Sequence, residues 1–187
     1  CNGVFSSAIR VNREGMPRKD EHYDERFVEE LKEFIPHLTE ARFTGGEPFL
    51  IKRYYEIWDL ISSMNPTCNI NVQTNGNVLT PRVKKTLEHG RFGINVSIES
   101  LEKDNYASIM KNGNLDSALS NIRWFRNYCK DKGTHMGITI CPMRQNWHEI
   151  PDMVRFCNEE GALMWFSVVY SPSSHAIWAM TFDELQN

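Results

Sequence analysis

The sequence has no uninterrupted apolar run near the roughly 18 residues that a membrane-spanning helix requires, so no segment of it reads as one. It is short of cysteine: Cys1, Cys68, Cys129, Cys141 and Cys157 are scattered, and no two stand at CxxC spacing. An odd, dispersed set makes a poor disulfide framework and points to a reducing compartment, here the cytoplasm. It also leaves this chain alone without a complete multi-cysteine metal site. No excess of positive charge is present: 21 Lys and Arg face 24 Asp and Glu, for a net charge of −3 and a pI near 6.1. That balance argues against an electrostatic nucleic-acid binder, and no membrane partner is expected. Internal repeats, low-complexity tracts and mid-chain linkers are missing as well. So are an initiator Met, a basic n-region and an apolar h-region, and the expectation is the cut end of a longer chain.

What remains is an ordinary globular composition. The 187 residues are 41% hydrophobic and 24% charged, with mean hydropathy −0.48. This fits one domain spanning 1–187, which buries about two thirds of its unfolded surface and needs no staple to fold.

Polar residues 2–21, with Arg10, Arg13, Arg18 and Lys19, read as a solvated loop. Phe27, Val28, Leu31, Phe34 and Ile35 recur at helical spacing up to Pro36. Ala41–Thr44 reads as a strand, and Leu50, Tyr54, Ile57, Trp58 and Ile61 as a second apolar stripe. Strand Cys68–Gln73 follows, then a helix opened by Thr80-Pro81 and ending near Gly90. After strand Phe92–Ile98 come a short helix near Leu101–Met110 and a longer one through Leu115, Ala118, Leu119, Ile122 and Phe125, which Gly133 closes. Met136–Cys141 is a strand; Asn146 and Glu149 stand as a capping box before a helix that Gly161 ends. Leu163–Tyr170 is the last strand, and Thr181 caps one more helix.

Strands alternating with crossover helices demand a parallel sheet, either an open doubly wound sheet or a full or partial β/α barrel. In both, ligands collect at the carboxyl ends of the strands. All five ends here are rich in glycine or hydrogen-bonding groups: Thr44–Pro48, Gln73–Asn77, Ser97–Ser100, Cys141–Asn146 and Tyr170–His175. At Gly45-Gly46-Glu47-Pro48 two readings stay open. Glycines expose backbone to a ligand while a glutamate accepts from an ammonium group, or the segment is a tight turn with Glu47 near a helix start.

Several of these segments together resemble the radical S-adenosylmethionine (SAM) superfamily. Phe43–Pro48 is similar to its GGEP motif, Gln73-Thr74-Asn75-Gly76 to its TNG segment, and Val96–Ser100 to its VSIDG-like segment; Asn146, Glu149 and Ile150 resemble the start of a later family helix. The similarity runs to about Tyr170. It implies a partial (β/α)6 barrel of parallel strands with outer helices, whose first strand lies upstream. It implies a 4Fe–4S cluster held by a CxxxCxxC loop, with Cys1 in the place of its third cysteine. It also implies a site for SAM at Thr44, Gly45, Gly46, Glu47 and Pro48, with Asn75 lining the pocket, Ser97 and Glu99 at the ribose or carboxylate, and backbone near Val168 at the adenine. Relatives that modify peptides carry an arginine after the VSIDG-like segment; this chain has Ser108-Ile109-Met110-Lys111 there, which leaves a carboxylate anchor in question.

The implied activity is reductive cleavage of SAM to a 5′-deoxyadenosyl radical that abstracts a substrate hydrogen. An electron donor is then a partner, and a peptide or protein of the SPASM or twitch branch a candidate substrate. No catalytic residue of this chain is singled out. The alternatives are a non-catalytic β/α binding or scaffold module without the cluster, and a phosphate-binding barrel, which Glu47 opposes by charge. Cys68, Cys129, Cys157 and, less simply, Cys141 read as buried hydrophobes. The Met and Trp residues default to core, and His175 to the surface.

Overall fold

The computed structural model describes residues 7–17 and 24–186. The chain divides into two compact units. One comprises the chain up to Thr74 together with Val78–Gly93, the other Asn75–Asn77 and the residues from Ile94 onward. The strand order is β1-β2-β3-β4-β5, the chain order that strand–helix alternation predicts.

In the first unit, α1 (Ser7–Asn12) replaces part of the expected loop. Polarity had suggested a loop, yet no glycine or proline interrupts residues 4–14, so the backbone can hydrogen-bond to itself. Gly15 at φ +63° and an Arg10 Nε bond to the Pro17 carbonyl (2.6 Å) then turn the chain back. Helix α2 (Glu25–Phe34) starts where Asp24 accepts from the Phe27 N–H at 2.8 Å. Strand β1 (Glu40–Phe43) pairs in parallel with β2 (Asn69–Thr74), Phe43 opposite Val72. Between them α3 (Lys52–Met64) turns Tyr54, Tyr55, Ile57, Trp58 and Ile61 inward. Trp58 is fully enclosed, edge-on to Phe43 (5.5 Å), Tyr55 (5.1 Å) and Phe92 (5.7 Å). Leu50, expected in that stripe, is exposed because it belongs to the 3-10 turn Pro48–Leu50 preceding the helix. Helix α4 (Pro81–His89) has the expected cap, Thr80 accepting from the Val83 N–H.

The second unit contains most of β3 (Phe92–Ser97), then α5 (Lys103–Ile109), α6 (Leu115–Lys132), β4 (Met136–Ile140), α7 (Ile150–Glu160), β5 (Leu163–Phe166) and α8 (Phe182–Gln186). Strand β4 pairs in parallel with both β3 and β5. Gly133 and Gly161 close α6 and α7 at φ +63° and +62°, left-handed positions where a side chain costs energy. Ile94, Val96, Ile98, Ile138 and Ile140 are buried with Ala118, Ile122, Phe125 and Met153. Each such aliphatic side chain contributes about 1.5–3 kcal/mol. Period two in β3 and β4 leaves Asn95, Ser97 and Thr139 on the opposite face.

Strand β5 ends at Phe166, four residues before the expected Tyr170. Trp165 and Trp178 are exposed, so the default of Trp to core holds for Trp58 and fails for these two. Helix α8 has a true capping box: the Thr181 N–H donates to Glu184 and the Glu184 N–H to Thr181 Oγ1. Among the described residues, no helix is long and apolar enough to cross a membrane.

Candidate functional site

In the first unit, the chain leaves β1 through Thr44, whose carbonyl accepts from Tyr54 Oη at 3.2 Å. Gly45 and Gly46 then take φ values of +89° and +55°. A Cβ at either would meet nothing within 4 Å, so these glycines answer to backbone conformation and stand against open space. Glu47, next in the chain, is 8% exposed. Its Oε1 accepts from the Phe49 N–H at 3.2 Å and from Thr74 Oγ1 at 2.8 Å, while Pro48 and Phe49 are buried behind it. The turn reading is met, and the side chain also has a partner outside the turn. Glu47 caps a 3-10 turn, and it is also a carboxylate held at the strand ends rather than turned to bulk water. Thr74 was not singled out from the sequence, although it shares the inward period of Ile70 and Val72, and a hydroxyl there demands a partner.

In the second unit, Asn75 closes the turn after β2: its Oδ1 accepts from the Asn77 N–H at 2.8 Å. Gly76 is glycine on two counts, a φ of +75° and a Cβ position 2.7 Å from Val96 Cγ1. Asn77 in turn donates to Tyr106 Oη and accepts from the Asn114 N–H. Ser97 ends β3 half-buried opposite Thr139. Glu99 is 7% exposed, and its Oε2 accepts from the Cys141 N–H at 2.6 Å. Burial pushes the Glu99 carboxyl above the ordinary 4.5 despite that bond. Burial, then the nearby Glu99, pushes the half-buried Cys141 thiol up to about 11. Val168 lies exposed beyond β5.

The capping box expected at Asn146 and Glu149 does not form. Both side chains are buried and bind the neighbouring strand ends instead. Asn146 Nδ2 donates to the carbonyls of Glu99 (2.7 Å) and Cys141 (3.1 Å), and its Oδ1 accepts from the Met143 N–H. Glu149 accepts from Ser100 Oγ (2.7 Å), the Leu101 N–H (2.7 Å) and Asn105 Nδ2 (2.6 Å). Helix-start chemistry and long-range bonding use the same residue types, and local spacing cannot separate them.

The open, left-handed glycine pair with a fixed carboxylate beside it fits the amino-acid end of SAM. For the cluster, Cys1 lies outside the described residues. Cys68, Cys129 and Cys157 are buried as expected. Among the described residues the one group of three metal-ligating side chains is Glu102, His148 and Glu149, and Glu149 is already occupied by protein donors.

Among the known proteins similar to this chain are two sequence relatives and one solved structure. A GTP 3′,8-cyclase of Alkaliphilus oremlandii is 33% identical over 115 residues, 58% of this chain and 35% of that protein. A probable GTP 3′,8-cyclase of Methanothermobacter marburgensis is 28% identical over 161 residues, 84% of this chain and 52% of that protein. The chain thus spans about a third to a half of these curated relatives. The crystal structure of Streptococcus suis SuiB bound to S-adenosylmethionine superposes with a TM-score of 0.62 at 14% identity, covering 83% of this chain and 37% of that one. At that identity the likeness concerns the fold, parallel strands with outer helices, as the strand–helix alternation predicts. The Radical SAM superfamily model matches residues 5–157, most of the chain and all of the motif segments up to α7. This chain belongs to the Radical SAM superfamily, whose cofactors are S-adenosylmethionine and a 4Fe–4S cluster.

Proposed function

We propose that residues 1–187 are the core domain of a radical SAM enzyme. Gly45, Gly46 and Glu47 receive the amino-acid end of SAM, flanked by Thr44 and Pro48. Ser97 and Glu99 meet its ribose or carboxylate, Asn75 lines the pocket, and backbone near Val168 meets the adenine. Cys1 contributes one thiolate to the cluster. The observation that carries this reading is Glu47: buried, fixed by Thr74 and the Phe49 N–H, and set directly after two open, left-handed glycines.

When bound, the cofactors supply the chemistry, reductive cleavage of SAM to a 5′-deoxyadenosyl radical that takes hydrogen from substrate. The chain's own residues bind, orient and exclude water. Glu47 accepts from the ammonium group; because Thr74 and the Phe49 N–H already fix its Oε1, the carboxylate is set before SAM arrives. The buried Glu99, braced by the Cys141 N–H, presents its carboxyl to a ribose hydroxyl. An electron donor is the further partner.

For the substrate, the name shared by the sequence relatives favours a guanosine nucleotide. The peptide-modifying SPASM or twitch branch, the reading from motif resemblance, offers a peptide as the second class. The deciding experiment is anaerobic reconstitution of the protein expressed from its whole gene, with iron content, visible absorption and 5′-deoxyadenosine release measured together, in the presence of GTP or of candidate peptides. Release of 5′-deoxyadenosine establishes the enzyme, and the substrate that accelerates it identifies the class. Well-folded protein lacking all three signals is the scaffold module.

A further inference from the structure

The β3–β4 ladder pairs Ser97 with Thr139, and the Ile98 N–H donates to the Thr139 carbonyl at 3.1 Å. In a continued parallel ladder the next donor is the Cys141 N–H, onto the Ile98 carbonyl. That N–H is turned to Glu99 Oε2 instead, at 2.6 Å. A side chain thus takes the place of a ladder bond where the two strands end.

Asn146 closes the gap this opens. Its Nδ2 donates to the Glu99 carbonyl (2.7 Å) and to the Cys141 carbonyl (3.1 Å), so one amino group grips both residues of that pair. Its Oδ1 accepts from the Met143 N–H at 2.7 Å, and its own N–H donates to the Met143 carbonyl at 3.1 Å. The residue is 0% exposed, and its amide nitrogen and oxygen are both taken up by backbone. A carboxamide presents two donors and an acceptor at this reach; aspartate has no donor and serine has one. Ser100, next to Glu99, is tied separately, its Oγ donating to Glu149 Oε1 at 2.7 Å.

The main chain of Glu99 and the N–H that receives its carboxylate are therefore held by a single side chain from outside both strands. Fixing those two points removes the conformational freedom that a buried glutamate would otherwise lose on meeting a ligand. A binding group is only as well placed as the residues that support it.

We infer that Asn146 is a positioning residue for SAM: it holds the Glu99 carboxylate in the orientation in which it meets the cofactor. The inference rests on the cofactor reading above and adds to it the group that fixes Glu99.

The test is a double-mutant cycle on the anaerobically reconstituted protein expressed from its whole gene. It compares Asn146→Ser, Glu99→Gln and their combination by calorimetric titration with SAM and by hydrogen–deuterium exchange at the Cys141 amide. Glu160→Gln is the control for lost stability, at the far end of α7, where Glu160 is buried against Arg126. Asn146→Ser and Glu99→Gln should each weaken SAM about 10-fold or more, and the combination hardly more than Glu99→Gln alone. Asn146→Ser should also speed exchange at Cys141, whereas Glu160→Gln lowers the urea midpoint and changes neither. Should Asn146→Ser fail to fold, Asn146→Gln, which keeps the carboxamide and displaces it by a methylene, takes its place in the cycle.

Wild-type SAM affinity in Asn146→Ser overturns the inference. So do fold-losses that multiply in the combination, the result expected of a merely structural residue. Wild-type affinity in Glu99→Gln, or a wild type that binds no SAM, defeats the cofactor reading instead, and Cys141 exchange in Asn146→Ser still decides whether Asn146 holds Glu99.

Discussion

Thr74 Oγ1 donates to Glu47 Oε1 across 2.8 Å, joining two buried polar groups that lie 27 positions apart in the chain. The strand end of β2 thereby sets the orientation of the carboxylate that follows β1. Removing the hydroxyl by Thr74→Val leaves a buried carboxylate short of a donor and is expected to cost about 1–3 kcal/mol in urea unfolding. Glu47→Gln keeps the shape and loses the charge. It should weaken SAM binding by about 10-fold or more in calorimetry, since a hydrogen bond to an ammonium group is charge-assisted. Unchanged SAM affinity in Glu47→Gln would remove Glu47 from the site.

The glycines of this region should respond to alanine in a definite order. Gly45→Ala and Gly46→Ala face open space, so each costs only the left-handed backbone, about 1–2 kcal/mol of stability. Gly76→Ala pays the same conformational term and also drives a methyl to 2.7 Å from Val96 Cγ1. Its denaturation midpoint should fall furthest of the three.

Glu149→Ala is expected to be among the most damaging single changes in the second unit. It strips the acceptor from Ser100 Oγ, the Leu101 N–H and Asn105 Nδ2 together, for a loss of about 3 kcal/mol or more. Glu149→Gln retains one acceptor oxygen and should fall between the variant and wild type in urea unfolding.

Glu99 predicts a pH dependence. Its carboxyl titrates above the ordinary 4.5 because burial penalises the charged form. Between the unfolded and folded values the native state therefore binds more protons than the unfolded chain, and stability falls as pH rises through that window. Glu99→Gln abolishes this contribution. The difference in unfolding free energy between wild type and variant, measured from pH 4 upward, should shift against wild type as pH rises above about 4.5 and then level off. A flat difference would place Glu99 in a more polar setting than its burial implies.

Much of the architecture is legible in the sequence because its signals are local. Thr80-Pro81, Gly133 and Gly161 mark helix ends through their own backbone preferences, and the structure has a cap or left-handed residue at each. The motif segments at the strand ends are legible for a related reason, since glycine spacing is a local property. Readings failed where one residue type serves two purposes. Asn146 and Glu149 have the spacing of a capping box and instead bind Glu99, Cys141, Ser100 and Asn105. Trp165 has the hydropathy of core and stands exposed on β5.

Taken by itself, the amino-acid order determined the strand–helix alternation, the parallel connections and the glycine-rich turns, because each follows from periodicity or backbone preference within a few residues. Only the tertiary structure decided which buried polar groups meet. Thr74 with Glu47 and Ser100 with Glu149 are paired by the register and packing of separate elements, and the cost of burying a polar group alone is what holds each pair together.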